Sequence, residues 1–103
     1  KQPMPRHALS TVFRAGVHAA LKHLALEVAA RGVTVNAVAP ATIMTPTFGL
    51  YHDVARRISE VPVQRAGTAE ELAATVAFLV SGHAGFITGE TIQLDGGATR
   101  ALC

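Results

Sequence analysis

An α/β fold, a doubly wound parallel sheet, is predicted by three features of the sequence. Residues 33–40, Val-Thr-Val-Asn-Ala-Val-Ala-Pro, form a short apolar run rich in β-branched residues and closed by proline. That is the pattern of a strand buried on both faces beneath covering helices. Residues 10–31 repeat apolar side chains at steps of three and four and lead into that strand through the single residue Gly32, an αβ joint. A second strand, Thr91-Ile92-Gln93-Leu94, follows after about fifty residues that include another helix, as a right-handed parallel crossover requires.

Taken in order, two prolines among the first five residues make residues 1–9 an extended lead-in. In the helix over 10–31, Phe13, Val17, Ala20, Leu21, Leu24 and Val28 make the apolar face. Arg31 suits the negative end of the dipole, and Gly32 is the residue expected just past a helix end. The proline-bounded loop at 41–46 follows the first strand, and loops at the carboxyl ends of parallel strands are where such sheets bind ligands. Phe48, Tyr51, Val54, Ala55 and Ile58 predict a shorter, mobile helical flap ending before Pro62, with Tyr51 packed in the core. Thr68-Ala69-Glu70-Glu71 is a capping box that opens a helix with Leu72, Val76, Leu79 and Val80 on its apolar face, stopped at Ser81-Gly82. Ile87-Thr88-Gly89 makes a turn, and Asp95-Gly96-Gly97 ends the second strand.

The chain has 103 residues, half of them hydrophobic, enough for one small domain with a sizeable core. Its net charge is only +2 and its basic residues are scattered, with Arg56-Arg57 the one adjacent pair, so no nucleic-acid partner is expected. No apolar run could span a bilayer and none resembles a signal peptide, so no membrane partner and a cytoplasmic location are expected. The single cysteine is the last residue, Cys103, which leaves no internal disulfide. Five histidines occur, none in a zinc-binding spacing, and no metal is expected. The chain opens on Lys1 and not on methionine, which reads as a fragment or a truncated reading frame.

Several segments together resemble the carboxyl-terminal half of short-chain dehydrogenases/reductases. They are Leu24-Ala25-x-Glu27-x-Ala29, Gly32-Val33-x-Val35-Asn36-Ala37-Val38-Ala39-Pro40, Arg65-x-Gly67-x-x-Glu70-Glu71-x-Ala73, Phe78-Leu79-x-Ser81, Ile87-Thr88-Gly89 and Asp95-Gly96-Gly97, in the family's order. The resemblance implies that residues 1–103 are the carboxyl-terminal portion of a single NAD(P)-binding Rossmann domain whose amino-terminal half is absent. It implies NAD or NADP as cofactor and hydride transfer to or from a small-molecule carbonyl or alcohol, as in a 3-oxoacyl reductase. It also implies a homo-oligomer, dimer or tetramer, with the long helix in a subunit interface and the Asp95-Gly96-Gly97 turn packed under a neighbouring subunit. The glycine-rich phosphate loop and the catalytic serine of the family have no counterpart among these residues.

The family's Tyr-x-x-x-Lys falls, by its fixed distance from Val35-Asn36, on Ser10 and Arg14. Both catalytic positions are therefore substituted. A serine hydroxyl lacks the acidity of the activated phenol, and an arginine can hold ribose hydroxyls but cannot shuttle a proton. Pro40, Ile43 and Thr45 match the loop that holds the nicotinamide carboxamide, with Ala41 where glycine is usual. His18-x-x-x-Lys22 lies a turn too far along to reach that loop and reads as a solvated helix face, and Asn36 reads as a structural bond across strand ends. Two functions stay open: an NAD(P)-dependent oxidoreductase present in part, or a catalytically degenerate relative that keeps only the oligomer surface.

Overall fold

In the computed structural model, residues 5–102 are described; Cys103 and the first four residues of the lead-in lie outside them. Helix α1 spans Ala8–Val28 and tightens into a 3-10 turn at Ala29–Arg31, and Gly32 follows with φ 76°. Strand β1 is Ala37–Pro40, α2 is Phe48–Tyr51, α3 is Val54–Ser59, α4 is Ala69–Leu79, and β2 is Thr91–Leu94 after a 3-10 turn at Gly82–Ala84. The two strands pair in parallel, Ala37 with Thr91 through Pro40 with Leu94. The order helix, strand, helices, strand with a parallel pair is the end of a Rossmann-like doubly wound sheet. Among the described residues, no helix is long and apolar enough to cross a membrane.

The first strand is shorter than the apolar run predicts and is half-buried, not covered on both faces. Residues 33–36 are held by side chains in place of a ladder. Val35 N donates to Thr88 Oγ1 at 3.0 Å, Asn36 Nδ2 donates to Ile87 O at 2.8 Å, and Asn36 Oδ1 accepts from Glu90 N at 3.1 Å. Asn36 thus brackets the Ile87-Thr88-Gly89 turn and sets the register of the two strands. Gly89, with φ 72°, lets that turn press on α1: a Cβ there would stand 3.0 Å from Lys22 Cδ and 3.4 Å from Ala25 Cβ.

Helix α4 starts as its capping box requires. Thr68 Oγ1 accepts from Glu71 N at 3.1 Å, and Glu71 Oε2 accepts from Thr68 N at 2.8 Å. The Arg65 guanidinium closes on the same carboxylate with two bonds, 2.9 Å to Oε2 and 2.6 Å to Oε1. The bond from Arg65 and then that from the Thr68 amide pull the Glu71 carboxyl down to about 2. The folded state therefore binds fewer protons here than the unfolded chain between the ordinary carboxylate value near 4.5 and about 2. The stabilisation is complete above that window and lost as pH falls through it. Thermal midpoints measured by circular dichroism should drop between pH 4.5 and pH 2, and Glu71→Gln should flatten that part of the profile. Thr68→Ala should cost about 1 kcal/mol through the lost cap, read from urea titrations at pH 7.

The expected sizeable core does not form. Among the described residues, Ala25, Val61, Leu79 and Ala84 are the buried apolar ones, while Leu9, Phe13, Val17 and Leu24 lie exposed along one face of α1. The accessible surface is 7700 Å², against about 5,500 Å² for a compact monomer of this mass. The radius of gyration is 15.3 Å where about 13 Å is usual for this length. Two strands give the helices too narrow a floor to pack on. Tyr51, expected in the core, is 79% exposed on α2, and the flap divides into α2 and α3 because Asp53 caps the latter, accepting from Arg56 N at 3.1 Å.

Candidate functional site

Helix α1 and the strand pair bound an open groove of about 790 Å³. One wall is the α1 face that carries His7, Ser10, Arg14, His18 and Lys22, spaced so that successive turns present them to the same side. The other is Pro40 and Ala41 at the end of β1 with Thr91, Gln93 and Asp95 along β2. The groove is closed at its far end by polar contacts from α1 to β2. His18 Nδ1 and Thr91 Oγ1 share a bond of 2.9 Å, and Lys22 Nζ donates to Gly89 O at 3.1 Å and to Glu90 Oε1 at 3.2 Å. His18, half-buried, is therefore a docking group, while Lys22 bonds to the adjoining turn and stays exposed. Thr91 and the Gly89-Glu90 turn come back to the helix through the parallel crossover, which helix spacing alone does not reveal.

Of the five residues singled out from the sequence, the groove brings together Ser10, Arg14 and Pro40. Ile43 turns the other way, into a second cavity of about 390 Å³ that it shares with Val61, Val63 and Ala74. It is seated there by a parallel bridge to Gly67, with Met44 N donating to Gly67 O and Gly67 N to Thr42 O, each at 2.9 Å. Thr45 is exposed at the head of the flap, where its carbonyl accepts from Phe48 N at 3.0 Å. Both follow β1 in the loop at the carboxyl end of the sheet.

The groove's second carboxylate is tied into a turn. Asp95 Oδ1 accepts from Gly97 N and Oδ2 from Thr99 N, both at 2.9 Å, and Thr99's bonding is the largest influence holding that carboxyl below the usual range. This turn packs against residues 61–63 of its own chain: Val63 N donates to Gly96 O at 3.2 Å. His7, the N-cap of α1, also lines the groove, and no motif in the sequence marks it; its one sequence signal is its place three residues before Ser10.

A helix-flanked parallel pair with a groove that runs along it to its carboxyl end is a ligand-binding arrangement of the Rossmann type. The family model described as enoyl-(acyl carrier protein) reductase matches residues 1–99, and the chain belongs to the short-chain dehydrogenase/reductase family. It is 48% identical over 86 residues to the 3-oxoacyl-[acyl-carrier-protein] reductase FabG of Haemophilus influenzae, covering 82% of this chain and 36% of that protein. The same enzyme of Escherichia coli K12 is 46% identical over 86 residues, covering 82% and 35%. The crystal structure of YwfH, an NADPH dependent reductase involved in bacilysin biosynthesis, superposes with a TM-score of 0.91 at 29% identity, covering 98% of this chain and 43% of that one. The chain spans about a third of the length of the curated relatives it matches.

Proposed function

We propose that the chain carries the nicotinamide- and substrate-facing part of an NAD(P)-dependent oxidoreductase acting on a small carbonyl or alcohol, of the 3-oxoacyl reductase type. One observation carries this reading: Ser10, Arg14 and Pro40, drawn from a helix and a strand end far apart in the chain, line a single groove at the carboxyl end of the sheet. The residues present suit the nicotinamide-ribose end of such a cofactor. Arg14 offers a planar fork of donors to a ribose diol. The backbone of Ile43 and the hydroxyl of Thr45, in the loop after β1, would hold the carboxamide, and Pro40 would flank the ring. When bound, the dinucleotide supplies the hydride. The chain's own contribution at the reacting carbonyl is the Ser10 hydroxyl, which donates a hydrogen bond to the oxygen and polarises it.

Homo-oligomer formation belongs to the same reading, supported by the exposed stripe of Leu9, Phe13, Val17 and Leu24 on α1. Light scattering after size exclusion should show self-association of the chain, abolished by Phe13→Glu with Val17→Glu. A monodisperse wild-type monomer contradicts it.

The functional test uses a chimera that joins this chain to the amino-terminal portion of the H. influenzae reductase. Reduction of a panel of 3-oxoacyl thioesters and simple ketones is followed by loss of NAD(P)H absorbance. Arg14→Met should weaken dinucleotide binding about 10- to 100-fold, for the loss of charge-assisted bonds worth about 1.5–3 kcal/mol. Ser10→Ala should lower kcat with little change in dinucleotide affinity. A chimera that binds dinucleotide and reduces nothing supports the degenerate, non-catalytic reading in its place.

A further inference from the structure

We propose that His7 is the proton source for the reaction at this groove, feeding the Ser10 hydroxyl from its Nε2; the inference rests on the oxidoreductase reading given above. Ser10 supplies a hydroxyl but no group that gains and loses a proton near neutral pH, and Arg14 cannot do so. His7 lines the same groove, as the N-cap of α1 three residues before Ser10.

The ring is held in the state this role needs. His7 Nδ1 lies 2.8 Å from Pro5 O. A carbonyl oxygen only accepts, so Nδ1 carries the hydrogen, and in the neutral ring Nε2 has the free lone pair. An imidazole steadied through one nitrogen by an oxygen acceptor keeps its other nitrogen for proton exchange, and Ser10 is the hydroxyl that lines the groove beside it. The backbone is pinned as well: the His7 carbonyl accepts from Thr11 N at 2.8 Å and Thr11 Oγ1 at 2.9 Å. Arg6, between Pro5 and His7, is held at φ 65°, the left-handed region that non-glycine residues seldom occupy. Such strain is expected where position matters.

In the reducing direction the step balances as follows. A bound reduced dinucleotide would supply the hydride and be oxidised; as the carbonyl carbon gains that hydride, the C=O π electrons go to oxygen. Oxygen takes the Ser10 proton, and Ser10 Oγ takes the Nε2 proton of the imidazolium, leaving the neutral ring with its Nδ1 hydrogen on Pro5 O. Oxidation of the alcohol runs the same path backward. Other charged or titratable groups facing the groove are Arg14, His18 and Lys22 from α1 and Glu90 and Asp95 from the β2 side. His18 is committed to Thr91 at the far end, and Asp95 to its own turn.

Two measurements test this. Long-range proton-nitrogen NMR on the chain, with His7 assigned by its loss in His7→Asn, should find the neutral ring protonated on Nδ1; protonation on Nε2 overturns the proposal whether or not any chimera is active. In the chimera, His7→Asn keeps a donor for Pro5 O but cannot pass a proton. It should lower kcat about 100-fold, remove one limb of the pH profile and leave dinucleotide affinity within about twofold. Combined with Ser10→Ala it should add little, since the two act in one relay. Unchanged kcat with the limb retained in His7→Asn overturns the relay and leaves the oxidoreductase reading standing. Dinucleotide binding without any hydride transfer when His7 is intact overturns both.

Discussion

Joined to the amino-terminal portion of a relative, the chain will bind NADPH in the low micromolar range, whereas by itself it will bind more weakly than about 1 mM, a difference of about 10³-fold or 4 kcal/mol. The reason lies in where a dinucleotide's charge sits. Its phosphates need backbone amides at a helix amino-terminus opened by a glycine-rich loop, and no Gly-x-Gly-x-x-Gly occurs in these 103 residues. Arg14 and the loop after Pro40 would reach only the nicotinamide-ribose end, where the Arg14 bonds, worth about 1.5–3 kcal/mol, and a few neutral ones of about 1 kcal/mol each cannot offset the cost of immobilising the ligand. Calorimetric titration distinguishes the cases. Micromolar binding to the chain by itself would place a phosphate site within it, and His18 and Lys22 would be the first residues to replace.

Gly96→Ala is the substitution expected to damage the fold most. Gly96 has φ 61°, where a side chain is strained, and a Cβ there would stand 2.5 Å from Val61 Cγ1. Val61 is one of the four buried apolar residues, so it has little room to yield. Strain and overpacking together should cost about 2–4 kcal/mol, a large share of the stability of a small domain. The thermal midpoint should fall by about 10–20 °C or the cooperative transition should vanish. Gly97→Ala is the useful comparison. It shares the positive φ, 85°, but its Cβ would meet only Pro62 atoms at 3.5 Å or beyond, so its smaller loss isolates the packing contribution. Equal losses at the two positions would mean that backbone strain alone is at work.

What could be read from the sequence was mostly local. The α1 periodicity, the glycine after Arg31 and the Thr68–Glu71 capping box each depend on neighbours within a few residues, and each is present in the structure. The parallel pairing followed from crossover length, a topological constraint that needs no coordinates. The errors arose where side chains meet partners distant in the chain. Hydrophobic content suggested a core, but how much apolar surface is covered depends on sheet width, and two strands leave Phe13 and Val17 in water. His18 looked like a solvent residue because its partner, Thr91, lies seventy-three positions away. Ile43 follows Pro40, the end of β1, by three residues, and its bridge to Gly67 seats it in the other cavity. His7 escaped notice because a histidine at a helix start has no motif; its bearing on Ser10 shows only when the groove and the Pro5 carbonyl are seen together.

The central claim is that this groove holds a carbonyl against a reducing nicotinamide ring. Its most direct measurement is isotope transfer in the chimera, with NADPH carrying deuterium at C4 of the ring on one face or the other, a 3-oxoacyl thioester as acceptor, and the product examined by mass spectrometry and NMR. The account predicts deuterium on the new carbinol carbon from one face only, and a transfer rate reduced by Ser10→Ala. Bound dinucleotide with no deuterium in any product from either face would contradict it.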